Sequence, residues 1–170
     1  MIAIGENALT KIEPEFPTVV KVGNFHGGYG KALARDSETW SDMLDLTFIT
    51  DDYVTLEPYI PYVRDIRCLA VGEHMWAMSR RGARWKANVE TQAFELIPVP
   101  AILREQTAKA MRHLQADILG LDFLEDANGE FTLLESNDIP GLTGFPDAVQ
   151  IELARTMREG NRAVENPQAV

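Results

Sequence analysis

The sequence has a single cysteine and lacks any apolar run long enough to span a membrane, which takes about 20 residues. One cysteine excludes an internal disulfide and is typical of proteins from a reducing compartment. Because Cys68 lies within an apolar run, we expect its thiol to be buried. The sequence does not open with a basic segment followed by an apolar one. We therefore expect a soluble, cytoplasmic protein.

Positive charge is also scarce, because 16 lysines and arginines stand against 26 aspartates and glutamates, giving a net charge of −10. This balance argues against a nucleic-acid or anionic membrane surface as a partner. Any site for a polyanion must then depend on local cations or on a metal ion. The histidines His26, His74 and His113 lack metal-ligand spacing, and no Ser/His/Asp or Cys/His arrangement stands out.

A glycine-rich stretch between residues 16 and 31 is the first informative segment. The apolar residues 19–22 predict a strand that carries Lys21. Four glycines follow within eight residues, and then comes Lys31; the glycines are Gly23, Gly27, Gly28 and Gly30. Glycines let backbone N–H groups approach an anion closely, so the segment indicates phosphate binding. A plain glycine-rich hairpin turn is the alternative.

Two common phosphate-binding motifs do not fit this stretch. A P-loop needs lysine after the second glycine, where the chain has Tyr29, and the dinucleotide motif needs a third glycine, where it has Leu33. The short apolar segment 31–35 predicts a strand and not a helix. The segment is therefore interpreted as a glycine flap in a β-hairpin that covers phosphates, with His26 placed to touch one.

Asp122, Glu135 and Asn137 form a candidate metal site. Two carboxylates and an amide are an all-oxygen ligand set, which suits Mg²⁺ or Mn²⁺ and not zinc. Glu135 and Asn137 are two residues apart and share one side of an extended chain. Asp122 lies in an apolar run, where an ionised carboxylate needs a partner. The alternative is that Asp122 faces solvent on a half-exposed strand.

Two further segments carry candidate binding residues. The segment 57–60, Glu-Pro-Tyr-Ile, can end a strand and expose backbone polar groups to a purine edge. Downstream, cations cluster in an otherwise acidic chain and predict a local anion site. The cations are Arg67, in the segment Asp65–Ile66–Arg67, together with Arg80, Arg81, Arg84 and Lys86. Asn88 follows as a possible polar orienting group.

The secondary-structure patterns predict an α+β fold with mainly antiparallel sheets. Three helices are predicted. The first begins with Ser37 as its N-cap, and the second covers 100–119 and ends before Gly120. The third covers 146–159, with Val149, Leu153 and Met157 facing inward. Predicted strands begin at 47–49 and lie within 53–60, 65–71, 74–79, 121–124 and 131–135, with turns at 72–73 and at Asn128–Gly129. Residues 80–88 are expected to form an irregular basic loop, and residues 161–170 a frayed tail.

Taken in their order along the chain, these motifs resemble the ATP-grasp superfamily, most closely its RimK-type glutamate ligase and synapsin branch. The resemblance covers residues 16–142 and implies two lobes of mainly antiparallel sheet with flanking helices and the nucleotide between them. The expected divisions are a leader over 1–15, a flap lobe over 16–60, a metal-binding lobe over 61–160 and a tail over 161–170.

The resemblance also implies roles for individual residues. ATP would be bound by Lys21, His26, Gly27, Gly28, Gly30, Lys31, Asp65 and an adenine hinge of Glu57, Tyr59 and Ile60. Mg²⁺ would be held by Asp122, Glu135 and Asn137. Arg80 or Arg81 would stabilise the transferred phosphoryl group, with Asn88 beside it.

The implied activity is ATP-dependent joining of a carboxylate to an amine through an acyl-phosphate. The substrates would be ATP and a small carboxylate or peptide. Related proteins begin with a further α/β domain, and this chain has Asp51–Asp52 where a phosphate-contacting lysine is often found. The alternatives are therefore a fragment of a larger ligase, partnered by an N-terminal domain or a second copy, a synapsin-like nucleotide-binding module, and a structural domain that binds nothing.

Overall fold

The computed structural model describes residues 2–3, 11–25, 28–49, 53–82, 85–86 and 91–165. The chain divides into two compact units, Met1–Pro61 and Tyr62–Val170. Each unit contains one antiparallel sheet, of four strands in the first and five in the second. The predicted α+β class with mainly antiparallel sheets is confirmed.

The first unit is built on a sheet with strand order β1-β4-β2-β3. Its strands are β1 (Ile2–Ala3), β2 (Thr18–Val22), β3 (Lys31–Ala34) and β4 (Val54–Pro58). The predicted hairpin of β2 and β3 is confirmed, with Lys21 opposite Lys31. β4 ends at Pro58, as expected of a residue that cannot donate to a ladder. Helix α1 (Ser37–Thr47) covers the sheet through Trp40, which packs with Val20 and Leu56.

The start and the end of α1 differ from the prediction. Asp36 is the N-cap, since its Oδ1 accepts a hydrogen bond from the backbone N–H of Thr39 at 2.8 Å. The prediction of Ser37 as N-cap is therefore wrong by one residue. The predicted strand at 47–49 is also wrong, because the helix continues to Thr47 and Phe48 caps it through a hydrogen bond to the Leu44 carbonyl.

The second unit has a sheet of order β7-β6-β5-β8-β9 with one helix on each face. Its elements are β5 (Arg64–Val71), β6 (His74–Gly82), β7 (Thr91–Ile97), α2 (Ala101–Leu114), β8 (Ile118–Glu125), β9 (Phe131–Asn137) and α3 (Asp147–Glu165). Successive side chains of β5 alternate between the two faces. Cys68 is buried on the α2 side, as expected, and Leu69 packs with Val149 of α3 on the other.

Several predicted boundaries in the second unit need correction. β6 continues through Arg80 and Arg81 to Gly82, so the predicted loop over 80–88 is wrong at its beginning. β7 was not expected, since its side chains are mostly exposed and do not alternate cleanly. The β8–β9 hairpin is confirmed, with Gly129 at a φ of 81° in the turn.

The two helices of this unit also end at other residues than predicted. α2 ends at Leu114, and Gln115 turns the chain with a φ of 51°, so Ile118 lies in β8 and not on the helix. α3 buries Val149, but Met157 is 58% exposed, so its predicted inward position is wrong. Because α3 continues to Glu165, the predicted tail begins within a helix. In the part of the chain that the structure describes, no helix is long and apolar enough to cross a membrane.

Gly120 lies inside β8, not after a helix as predicted, and it is needed there for close packing. A Cβ atom at this position would lie 2.7 Å from Cβ of Pro140. We expect Gly120→Ala to lower the free energy of unfolding by about 1–3 kcal/mol, because overpacking forces the neighbouring backbone to shift. Gly141→Ala is the matched control, since its Cβ would meet only Arg67 Nη1 at 3.6 Å. Equal urea midpoints for the two variants would contradict this account.

Candidate functional site

Four charged side chains meet on the α3-facing side of the second sheet. Strand register brings them together, because Asp65 is paired with Arg80 and Arg67 is paired with Asp122 on neighbouring strands. Directly paired residues of adjacent strands share one face. We refer to Asp65, Arg67, Arg80 and Asp122 as the ion-pair cluster. Asp65, Arg80 and Asp122 are buried and Arg67 is partly buried. The formal charge of the cluster is zero, which lowers the free-energy cost of burying these ionised groups.

Asp122 is the most heavily bonded carboxylate of the ion-pair cluster. Arg67 donates from Nε to Oδ1 and from Nη2 to Oδ2, each at 2.7 Å. Arg80 Nη2 lies 3.2 Å from the same Oδ2. Arg80 also donates to Asp65, from Nε to Oδ1 at 2.7 Å and from Nη2 to the same oxygen. Since Asp122 is only 3% exposed, the alternative of a solvent-facing carboxylate is wrong.

The pKa values of the two carboxyl groups of the cluster are shifted in opposite directions. Burial raises the pKa of Asp65, and the charge and hydrogen bonds of Arg80 offset this only in part. Burial also acts to raise the pKa of Asp122, but the hydrogen bond from Arg67 and the charges of Arg80 and Arg67 together hold that pKa below its usual value. Asp122 therefore stays ionised, as a metal ligand must be.

Glu135 and Asn137 extend this polar face toward the edge of the sheet. Glu135 is paired with Asp122 across β8 and β9 and is exposed. Asn137 is paired with Gly120, and its Nδ2 atom is buried without a hydrogen-bond partner among the described residues. This NH₂ group is a donor, so the partner that it lacks is an acceptor oxygen, which a water molecule or a phosphate group could supply. The three predicted metal-ligating residues thus lie on neighbouring positions of one hairpin.

The donor set fits a hard cation only in part. Carboxylate and amide oxygens suit Mg²⁺. Within the described ranges, however, no three His, Cys, Asp or Glu side chains are placed to hold a metal together. Two carboxylates and one amide, each giving one oxygen, would fill half of an octahedral shell, so these residues would hold Mg²⁺ only together with other oxygens, such as those of a phosphate group.

The two arginines predicted beside the transferred phosphate differ in their surroundings. Arg80 is buried and bonded to both carboxylates of the ion-pair cluster. Arg81 is exposed and, as the next residue of the strand, its side chain leaves from the opposite face. Of these two arginines, only Arg80 therefore lies on the same face as Glu135. Asn88 and Arg84 lie outside the described residues.

In the first unit, Lys21 is held by Glu57. The Lys21 Nζ atom lies 2.5 Å from each carboxylate oxygen of Glu57. Val19, not Lys21, is directly paired with Glu57, so this is a diagonal contact between β2 and β4. In the predicted hinge, the backbone N–H of Tyr59 donates to the Pro17 carbonyl at 3.2 Å and is not available to a purine. Ile60 is half-buried.

The backbone of the glycine loop adopts positive φ angles at three of its glycines. Gly23, Gly28 and Gly30 have φ values of 62°, 82° and 66°, which favour glycine. At Gly30 a Cβ atom would also lie 2.7 Å from the Val22 carbonyl oxygen. Lys31 is half-buried beside the loop. His26 and Gly27, the other residues predicted here, lie outside the described residues.

Sequence reasoning gave no separate role to Arg67, although it holds both oxygens of Asp122. The available signal was its position two residues after Asp65 on a predicted strand, which places both side chains on one face. The partner across the sheet is 55 residues away and could not be identified from spacing.

A family model described as a RimK-like ATP-grasp domain matches residues 4–160. Glutamate–LysW ligase ArgX of Sulfurisphaera tokodaii is 33% identical over 109 residues, which are 61% of this chain and 39% of the relative. Ribosomal protein bS6–L-glutamate ligase of Escherichia coli O139:H28 is 29% identical over 147 residues, 83% of this chain and 49% of the relative. The chain thus spans less than half the length of these two relatives.

Among solved structures, D-alanine–D-alanine ligase from Bacillus anthracis has a similar fold. The TM-score is 0.67 at 21% sequence identity, and the match covers 99% of this chain and 63% of the other. At that identity the similarity is evidence of a shared fold, and it agrees with the two antiparallel sheets and their helices described above.

Proposed function

Because the chain belongs to the RimK-like ATP-grasp family, we propose that it is the ATP- and Mg²⁺-binding part of an ATP-dependent carboxylate–amine ligase. The observation that carries the proposal is the hairpin of β8 and β9. It presents Asp122 opposite Glu135, beside the unpartnered amide of Asn137. This oxygen-rich face, bordered by two arginine side chains, suits a metal–phosphate group.

The proposed reaction has two steps. An oxygen of a substrate carboxylate bonds to the γ-phosphorus of ATP, and the bond to the bridging oxygen breaks to release ADP. The nitrogen of an amine then bonds to the acyl carbon, loses a proton and displaces inorganic phosphate. Mg²⁺, when held by Asp122, Glu135 and Asn137, supplies charge that stabilises the transferred phosphoryl group.

The chain's own side chains would position and shield the phosphates. The hydrogen bonds to Asp65 hold the Arg80 side chain in place, so Arg80 offers a fixed positive charge on the face that carries Asp122 and Glu135. Lys21, held by Glu57, would bind a phosphate oxygen. The glycine hairpin of β2 and β3 would exclude water, which protects an acyl-phosphate from hydrolysis.

The relatives suggest the substrates. The two curated relatives described above are named as glutamate ligases, with LysW as the other partner in one name and ribosomal protein bS6 in the other. We propose that glutamate supplies the amine here and that a protein or peptide carboxylate is activated, in the cytoplasm. A nucleotide-binding module without turnover is the second candidate, since the chain spans less than half of either relative.

Calorimetry and product release test the proposal in sequence. Titration with ATP and Mg²⁺ should give saturable binding, and ADP should form when glutamate and a peptide with a free carboxylate are both present. Binding without ADP formation, over a panel of carboxylates and amines, would support the module instead. An absence of ATP binding would refute both.

Lys21→Gln is expected to weaken ATP binding about tenfold or more, because a charge-assisted hydrogen bond to phosphate contributes roughly 1.5–3 kcal/mol. Glu57 would keep a hydrogen-bonding partner, so the sheet should remain folded. Lys11→Gln is the matched control, since Lys11 is exposed and lies in the same unit. The assignment of Lys21 is wrong if both variants bind ATP as tightly as the unmodified chain.

A further inference from the structure

We propose that Arg67 makes metal binding at Asp122 and Glu135 conditional on a bound phosphate group. Without phosphate, the guanidinium of Arg67 occupies both oxygens of Asp122. When phosphate binds, the guanidinium pairs with it instead and leaves those oxygens to the metal. The proposal rests on the proposed function of this face and adds a residue to which that function gave no role. Arg67 would be a positioning residue for the metal, acting through Asp122.

The starting observation is that both ligand oxygens of Asp122 are occupied. Arg67 donates to each of them at 2.7 Å, in the two-pronged geometry that makes guanidinium–carboxylate pairs strong. A cation approaching Asp122 would therefore meet N–H groups and a positive charge. Arg80, 3.2 Å from Oδ2, adds a second positive charge on the same side.

The net charge around Asp122 and Glu135 also disfavours binding of a divalent ion. The ion-pair cluster is neutral, and Glu135 adds one negative charge, so these five side chains together offer a divalent ion a net charge of only −1. The low dielectric of a buried site strengthens repulsion by the arginines as much as attraction by the carboxylates. We therefore expect a divalent ion alone to bind weakly.

Arg67, and not Arg80, is the arginine that can move. Arg80 is anchored by two hydrogen bonds to Asp65, and its side chain is 6% exposed. The side-chain hydrogen bonds of Arg67 in the described structure all go to Asp122, and its side chain is 16% exposed. Its Nη1 atom lies beside Gly141, where an added Cβ atom would be 3.6 Å away. Arg67 is thus more exposed than Arg80 and, among the described residues, is not tied to a second carboxylate.

A phosphate group would release Asp122 without leaving a charge unpaired. Guanidinium groups bind phosphate with the same two-pronged geometry that they use with carboxylates. Once Arg67 pairs with a phosphate, the oxygens of Asp122 become available to the metal, which also shares phosphate oxygens. Linkage then requires that phosphate and metal each strengthen binding of the other by the same factor.

The test measures Mn²⁺ binding without nucleotide, from the electron paramagnetic resonance signal of free Mn²⁺. We expect Arg67→Gln to bind Mn²⁺ at least about tenfold more tightly than the unmodified chain, within the usual range of coupling between sites. Arg64→Gln is the matched control, because Arg64 lies on the same strand, is exposed and pairs with Glu125. Equal or weaker Mn²⁺ binding by Arg67→Gln would overturn the proposal.

A second measurement uses the unmodified chain and does not depend on the folding of a variant. Saturating ADP should tighten Mn²⁺ binding at least about tenfold after subtraction of the Mn²⁺–ADP complex formed without protein. An unchanged Mn²⁺ affinity under conditions where calorimetry shows ADP to be bound would also overturn the proposal. Arg67→Lys keeps the charge, so its Mn²⁺ affinity should stay well below that of Arg67→Gln.

These readouts separate the proposal from the proposed function. If ATP and ADP do not bind, the proposed function fails, whereas tighter Mn²⁺ binding by Arg67→Gln would still be seen if Arg67 blocks the metal site. If ATP binds but Arg67→Gln does not tighten Mn²⁺ binding, only the present proposal fails. A merely structural role of Arg67 would lower stability without raising the Mn²⁺ affinity.

Discussion

Arg80→Met is expected to lower the free energy of unfolding of the second unit by about 3–5 kcal/mol, because it leaves buried carboxylates short of a cation. Arg80 is the sole hydrogen-bonding partner described for Asp65, whose side chain is 9% exposed. Methionine keeps much of the apolar bulk, so the loss would reflect charge and not a cavity. A loss of this size is a large fraction of the stability of a small domain.

Urea unfolding followed by tryptophan emission measures this loss. Trp76 and Trp85 lie in the second unit, and a Trp40→Phe background removes the signal of the first. Arg81→Met is the matched control, being adjacent and exposed, and should change the free energy by no more than about 0.5 kcal/mol. Similar losses for the two variants would mean that Arg80 is not held as described.

The double variant Asp65→Leu/Arg80→Met distinguishes a lost ion pair from lost packing. Replacing both partners of a buried pair by apolar residues is often neutral for stability. We therefore expect the double variant to recover most of what Arg80→Met alone loses. Asp122 would retain Arg67 in both variants. No recovery would point to packing of the Arg80 side chain as the main contribution.

Glu135→Gln is expected to lower ADP formation by about a hundredfold or more, since a metal ligand at a transferred phosphoryl group contributes several kcal/mol to transition-state stabilisation. The fold should be intact, because Glu135 is exposed on an edge strand. Glu135 is in this respect a better position to test than Asp122, because a substitution of Asp122 would also disturb the buried ion-pair cluster. The half-saturating Mg²⁺ concentration should rise together with the loss of rate.

Glu130→Gln is the control for this variant, because it removes the same charge from the same hairpin, ahead of β9. It should leave rate and Mg²⁺ dependence close to those of the unmodified chain. If the chain binds ATP without turnover, the two variants can be compared through the Mg²⁺ dependence of ATP binding. An unchanged Mg²⁺ dependence in Glu135→Gln would remove this residue from the metal site.

The parts of the fold that follow from local patterns were predictable from sequence. The β2–β3 hairpin follows from an apolar strand and glycines that adopt positive φ, and the β8–β9 hairpin from Asn128–Gly129 between two apolar runs. Buried Cys68 follows from its apolar neighbours. In each case the relevant residues are close in sequence, and their conformational preferences agree with the final structure.

The errors occur where a distant partner decides the structure. Helical spacing of apolar residues continues past Leu114, but pairing with β5 draws Ile118 into a strand. Arg80 has the sequence context of a solvated basic loop, and it becomes buried because Asp65 lies directly opposite. The same reason hid the link between Arg67 and Asp122. The proposed ligands Asp122, Glu135 and Asn137 could be named from the sequence, whereas the contacts that Arg67 and Arg80 make with Asp122 could not.

The candidate site is assembled by pairing register, and this limits how the sequence can change. Arg67, Asp122 and Glu135 come from three neighbouring strands and share a face only because they are directly paired. A one-residue insertion within β8 would turn the following side chains to the opposite face and separate Asp122 from one partner or the other. Substitutions can therefore alter the chemistry of this face in small steps, but length changes are confined to the turns, such as residues 126–130.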